Sequence, residues 1–212
     1  MLEMVERAST LDTGALPLFP LQTVLFPGGL LHLKIFEARY LDMMGRCMRE
    51  TTPFGVVALR EGREVRQPGH DEVLESHGVM AELIEVDSPQ SGILMVQCRG
   101  SQRFALQSSR RQPDGLWLGE IELIDGDEAV APTEPLRGCA QGLASAIETL
   151  RAQGSLPFLE PFRFDDAGWV ANRWCEILPI SLAAKQKLMT LDDPLIRLQL
   201  VDEFLRSKGV IG

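Results

Sequence analysis

The style of the sequence changes once, near residue 130, and that change constrains the fold more than any motif does. Before it, short segments alternate apolar and polar residues and are separated by Gly, Pro and Ser. After it, apolar residues recur every three to four positions between helix start and stop signals. A period of two puts alternate side chains on opposite faces of a strand, whereas a three–four spacing lines one face of a helix. The pattern predicts an α+β chain, with a β-rich subdomain over residues 15–130 and a helical subdomain over 133–209.

In the first part, Leu30–Phe36, Phe54–Glu61, Gly78–Ser88, Gly92–Gly100 and Leu116–Ile124 read as strands. Ser88–Gly92 reads as a five-residue turn joining two of them into a hairpin. Leu-Phe-Pro occurs twice, at Leu18–Pro20 and Leu25–Pro27. Proline donates no ladder hydrogen bond and belongs at strand starts, edges and bulges, so both prolines read as punctuation between strands. One helix interrupts this region. Glu37–Glu50 sets Tyr40, Met43, Met44, Cys47 and Met48 on one apolar stripe.

In the second part, Pro135 is placed to start a helix that Gly154 stops. Helices are also expected over Asp165–Leu178 and Ser181–Leu191. The last one has Asp193 as N-cap, Pro194 in its first turn and Gly209 beyond its end. Leu195, Leu198, Val201 and Leu205 are expected to form its buried face, widened by Ile196 and Leu200.

The formal charge is −9, carried unevenly. Residues 1–132 hold 12 Lys and Arg against 20 Asp and Glu, and the rest hold 9 against 10. Such a field repels phosphate backbones and argues against nucleic acid or an anionic membrane surface as partner. No run approaches the roughly 20 apolar residues of a membrane span, and "MLEMVERAST" has no apolar signal core, so it reads as a fraying lead-in. A cytoplasmic location is expected. Cys47, Cys98, Cys139 and Cys175 match no zinc or redox spacing and read as reduced, buried thiols.

Motifs of catalysis are missing. There is no phosphate-binding glycine loop, no HExxH and no GxSxG. His70 and His77, with Asp71, Glu72 and Glu75, offer acids and imidazoles without ligand spacing, so a polar loop is the simpler reading than a metal site. Ser181 and Lys185, four apart, read as an N-cap and a solvated helix residue rather than a catalytic dyad. Arg99, Arg103, Arg110 and Arg111, interleaved with Phe104 and Trp117, read as a solvated sheet face paired to nearby acids. No catalytic residue, metal ligand or cofactor is expected.

The stretch "LPLFPLQTVLFPGGLLHLKIFEARYLDMM" closely resembles the opening of the N-terminal, substrate-binding domain of Lon proteases. Ala38 stands where that family usually has proline, and Lys34 where it commonly has histidine. The likeness continues through "FGVVAL", through "GVMAELIEVDSPQSGILMVQCRGSQRFAL" and through "ILPISLAAKQKLMTLDDPLIRLQLVDEFL", covering about residues 15–208. The resemblance implies a PUA-like β pseudo-barrel followed by a C-terminal helical bundle. Lon proteases continue into an ATPase and a Ser–Lys peptidase domain, neither of which these 212 residues resemble. The expectation is a stand-alone, non-enzymatic module that binds unfolded or extended polypeptide, with a protease or chaperone as a further partner class and no oligomeric state specified.

Recognition that tolerates many sequences needs apolar contact or an open strand edge, because neither demands particular side chains. A groove near the first strands and helix, or between barrel and bundle, is expected to carry it. The candidate peptide-binding residues are Phe19, Phe26, Phe36, Tyr40 and Met44, with Glu37 and Arg39 fixing the strand-to-helix corner. Two alternatives stand beside this reading: a hydrolase with a dispersed site, and an RNA-binding PUA-like module.

Overall fold

The computed structural model describes residues 15–61 and 72–212. The N-terminal lead-in, and His70 and Asp71 of the acidic loop, lie outside the described residues. Strands β1 (Leu16–Leu21) and β2 (Leu30–Ile35) precede helix α1 (Ala38–Glu50). Four strands follow: β3 (Phe54–Glu61), β4 (Val73–Gln90), β5 (Ile93–Arg111) and β6 (Trp117–Leu123). A 3-10 turn at Glu134–Leu136 leads into α2 (Arg137–Ala152), α3 (Ala167–Ile177), α4 (Leu182–Met189) and α5 (Pro194–Ser207).

The sheet is mixed. β1 runs parallel to β3, and every other pairing is antiparallel. Pairings run β1–β3–β4–β5–β6 and return from β6 to β1, so five strands curl into a pseudo-barrel. β2 is attached outside this ring, along the first half of β5. Inside the ring, Leu18, Val57 and Phe104 form a small core of their own. The space there is tight. A Cβ on Gly78 would lie 2.5 Å from Phe104 Cζ and 2.5 Å from the Val56 carbonyl oxygen, so only glycine fits between them.

The larger core lies outside the ring. α1 presses Tyr40, Met43, Met44 and Cys47 onto the sheet, and the same apolar cluster continues into α2, α3 and α5. α3 is its centre, buried without interruption from Ala167 to Cys175. Barrel and bundle thus share one core, which ties the two parts together.

Several details depart from expectation for identifiable reasons. β4 and β5 are far longer than the alternating segments, and their turn is only Ser91-Gly92, with Gly92 at φ +78°. The β4–β5 register shifts between Val79 and Ala81 and again between Leu83 and Glu85, and each bulge interrupts the alternation that marks a strand in sequence. Pro20 lies within β1 and not between strands. β6 pairs only with Leu16–Leu18, so at Pro20 the strand has a ladder partner on one side alone. Pro27 does sit in a turn, before Gly28 at φ +74°. On α1 the stripe stops at Cys47 and Met48 is exposed, and on α5 Ile196 and Leu200 are exposed while Arg197 takes the buried position.

Candidate functional site

The first strands and α1 meet at one corner. β2 ends at Ile35, and Glu37 in extended conformation caps α1. Glu37 makes no side-chain cap hydrogen bond; its carboxylate holds Arg39 at 2.8 Å instead. Arg39 is buried, donates to the Gly115 carbonyl at 2.8 Å and lies 4.6 Å over the Tyr40 ring. The pair fixes the strand-to-helix corner as its residues suggest. Tyr40 in turn stacks on Phe19, with ring centroids 4.1 Å apart. Burial pushes the Tyr40 phenol up to about 12, which keeps the ring neutral.

These two rings floor a cleft of about 270 Å³, walled by Leu21, Thr23, Leu31 and Leu33 and rimmed by Phe36 and Glu37. The four consecutive residues Leu31, His32, Leu33 and Lys34 all line it. Alternate side chains face opposite ways, so four in a row means that the cleft runs along the strand's margin. That margin is open. Phe158 pairs with Gly29 at its start, and beyond it no strand of the described residues pairs with β2 except β5. Gly100 N–H donates to the Gly29 carbonyl in the β2–β5 register. Alternation from that point turns the N–H and C=O groups of His32 and Lys34 toward the open side.

The five candidate residues separate cleanly. Phe36 is 56% exposed at the rim of the cleft, and Phe19 and Tyr40 line it while belonging to the buried core. Phe26 and Met44 are fully buried and line no part of it. Leu21 and Thr23, and on β2 Leu31, His32, Leu33 and Lys34, are the lining residues that sequence reading missed. Their alternation was visible, but nothing in one sequence says which strand lacks a neighbour.

The second expected location, between barrel and bundle, holds a cleft of about 590 Å³. It mixes charged and polar side chains, among them Arg99, Ser101, Gln102, Asp127, Arg163 and Asp166, with Pro27 and Trp169, and none of the five candidate residues lines it. The arginines expected on a solvated face divide. Arg99 is exposed and pairs with Glu82 at 2.7 Å. Arg111 pairs with Glu72 at 2.6 Å and lies over the Trp117 ring. Arg103 instead is buried and reaches across to the bundle.

Ser181 caps α4, accepting from Ala184 N–H, while Lys185 Nζ donates to the Glu176 carbonyl and is therefore tied down rather than freely solvated. All four cysteines are free and buried, and burial pushes the thiols of Cys98, Cys139 and Cys175 up to about 12. Among the described residues no three His, Cys, Asp or Glu side chains gather as a metal site. No helix among them is long and apolar enough to cross a membrane.

A family model of the ATP-dependent protease La (Lon) substrate-binding domain matches residues 15–207. The chain belongs to the Lon substrate-binding domain family. A solved Lon N-terminal domain protein from Xanthomonas campestris is 30% identical to it, with a TM-score of 0.69 over 88% of this chain and 96% of that one. The N-terminal domain of the Mycobacterium avium complex Lon protease shares the fold at 17% identity, with a TM-score of 0.62 over 89% of this chain and 96% of that one. Lon protease 2 of Herpetosiphon aurantiacus is 24% identical over 99% of this chain, which spans only 25% of that relative's length. The PUA-like α+β architecture is that of Lon N-terminal domains, and membership of their family supports a substrate-recognition role.

Proposed function

We propose that this Lon substrate-binding domain recognises extended polypeptide by adding it as a strand along the open margin of β2, without chemistry of its own. The observation that carries the reading is the coincidence of that margin with the aromatic-floored cleft and exposed Phe36. Main-chain hydrogen bonds to His32 and Lys34 would give sequence-tolerant affinity, and the cleft would accept one or two apolar side chains. Folded proteins hide such segments in their own sheets and cores, so unfolded polypeptide is the natural partner. The relatives are named for Lon protease, and a protease's substrate is a polypeptide.

A few main-chain hydrogen bonds at about 1 kcal/mol each, and one or two apolar side chains at about 1.5–3 kcal/mol each, must offset the cost of ordering the peptide. Affinity on the order of micromolar or weaker follows. The test is anisotropy of a labelled, reduced and unfolded polypeptide titrated with the wild type, Phe36→Ser and His32→Pro. Saturable binding is expected, weakened several-fold by Phe36→Ser and lost with His32→Pro at unchanged circular dichroism. No saturable binding up to high micromolar, or equal binding by all three proteins, rejects the reading.

A further inference from the structure

The open margin of β2 is chemically lopsided. The side chains of Leu31 and Leu33 lie on the inward face of the strand and those of His32 and Lys34 on its exposed face, while the cleft touches all four along the margin. Across β5, Lys34 faces Met95 and His32 faces Gln97, so neither has an acid as its cross-strand neighbour. The acids of that face, Glu85 and Asp87, stand one strand further off on β4, and Gln97 already donates to Glu85 at 3.0 Å. Glu37, the acid at the end of the cleft, is held by Arg39. Among the described residues no carboxylate pairs with Lys34, although the chain as a whole carries −9.

Resting on the strand-addition reading above, we propose that the β2 margin selects extended segments that place a carboxylate opposite Lys34 and apolar side chains opposite Leu31 and Leu33. A residue added opposite Lys34 shares its face of the sheet, and directly opposed unlike charges stabilise a strand pair while like charges oppose it. The flanking residues point the other way, into the cleft over Phe19 and Tyr40. The substrate class is thus an alternating apolar–acidic strand. A lysine on an open margin also deters pairing with uncharged strands. A second copy of this chain is disfavoured for the same reason: two β2 margins paired antiparallel about Leu33 set His32 against Lys34, basic side chain to basic side chain.

Three labelled peptides with alternating Leu–Glu, Leu–Ser and Leu–Lys test this by anisotropy on the full chain. The salt is 0.15 M, where charges beyond about 8 Å are screened. The expected order is Glu tighter than Ser tighter than Lys, with Glu and Lys separated by about five-fold or more. Lys34→Glu, at an exposed position that leaves the fold intact, is expected to reverse the order. An unchanged order in Lys34→Glu, or equal binding of the three peptides while unfolded polypeptide still binds, overturns this selectivity and leaves strand addition standing. Failure of every peptide and of the unfolded polypeptide overturns both.

Discussion

Arg103 on β5 donates through Nη2 to Asp127 Oδ1 at 2.9 Å, and the same carboxylate receives Arg197 of α5 at 2.5 Å. Both arginines are buried. Arg103 also donates to the carbonyl oxygens of Met189 and Leu191, and Arg197 to that of Leu188 and to Asn172 Oδ1. One acid in the segment after β6 therefore joins the barrel to α3, α4 and α5. Asp127→Asn keeps the shape and removes the charge, leaving two buried guanidinium groups short of a counterion. Asp192, 3.5 Å from Arg103 but highly exposed, replaces it poorly. The expected loss of unfolding free energy in urea is about 3 kcal/mol or more. A loss under about 1 kcal/mol would show that the clamp does not hold the two parts together.

Gly78→Ala puts a methyl group against Phe104 and the Val56 carbonyl inside the pseudo-barrel. Overpacking of this kind costs about 1–3 kcal/mol. Adding Phe104→Leu should recover only part of it, because the carbonyl belongs to a paired strand and cannot retreat. Full recovery in the double variant, read from urea midpoints, would mean that the ring alone was the obstacle.

Phe36 and Phe26 predict opposite phenotypes. Phe36→Ser removes an exposed ring and should leave stability within about 0.5 kcal/mol while weakening polypeptide binding. Phe26→Ala empties a fully buried site and should cost about 3–5 kcal/mol. Comparable destabilisation by the two would place Phe36 in the core.

Glu176 predicts a pH dependence. It lies beneath the Pro27–Gly29 turn with Arg173, which donates to it at 2.6 and 2.8 Å and also reaches the Pro27 carbonyl. Burial pushes its carboxyl up to about 7, against the pull of Arg173 and Lys185. A carboxyl raised on folding favours the folded state while protonated. Its contribution is present in full below the unfolded value, near 4.5, and is lost as pH rises through about 7. Over that window the wild type should lose on the order of 2–3 kcal/mol relative to Glu176→Gln. Parallel stability curves for the two proteins between pH 4.5 and 7.5 would contradict the shift.

Local signals in the sequence located the elements well wherever side-chain spacing alone decides them. Asp193, Pro194 and Gly209 bound α5 as their chemistry requires, and Ser181 caps α4. Tyr40, Met43, Met44 and Cys47 form the buried stripe of α1. The signals faded where a neighbour decides. Register shifts hid the full length of β4 and β5, and Arg103 looked like any strand arginine until α4 and α5 packed over it. At the site, Phe36 and Phe26 have the same apolar character in the sequence, yet Phe36 is exposed and Phe26 is buried.

The sequence by itself determined which segments are strands and helices, where most of them stop, and which family the chain belongs to. The elements depend on backbone preferences and on the spacing of apolar residues along the chain, both local properties, whereas the family rests on ordered motifs along residues 15–207. Tertiary structure alone decided that β2 lies outside the ring with one margin free, that Phe19 and Tyr40 stack beneath that margin, and that Lys34 faces no acid. Whether a strand has a second neighbour, or a ring a covering side chain, depends on contacts between residues far apart in the chain. No single segment encodes those contacts.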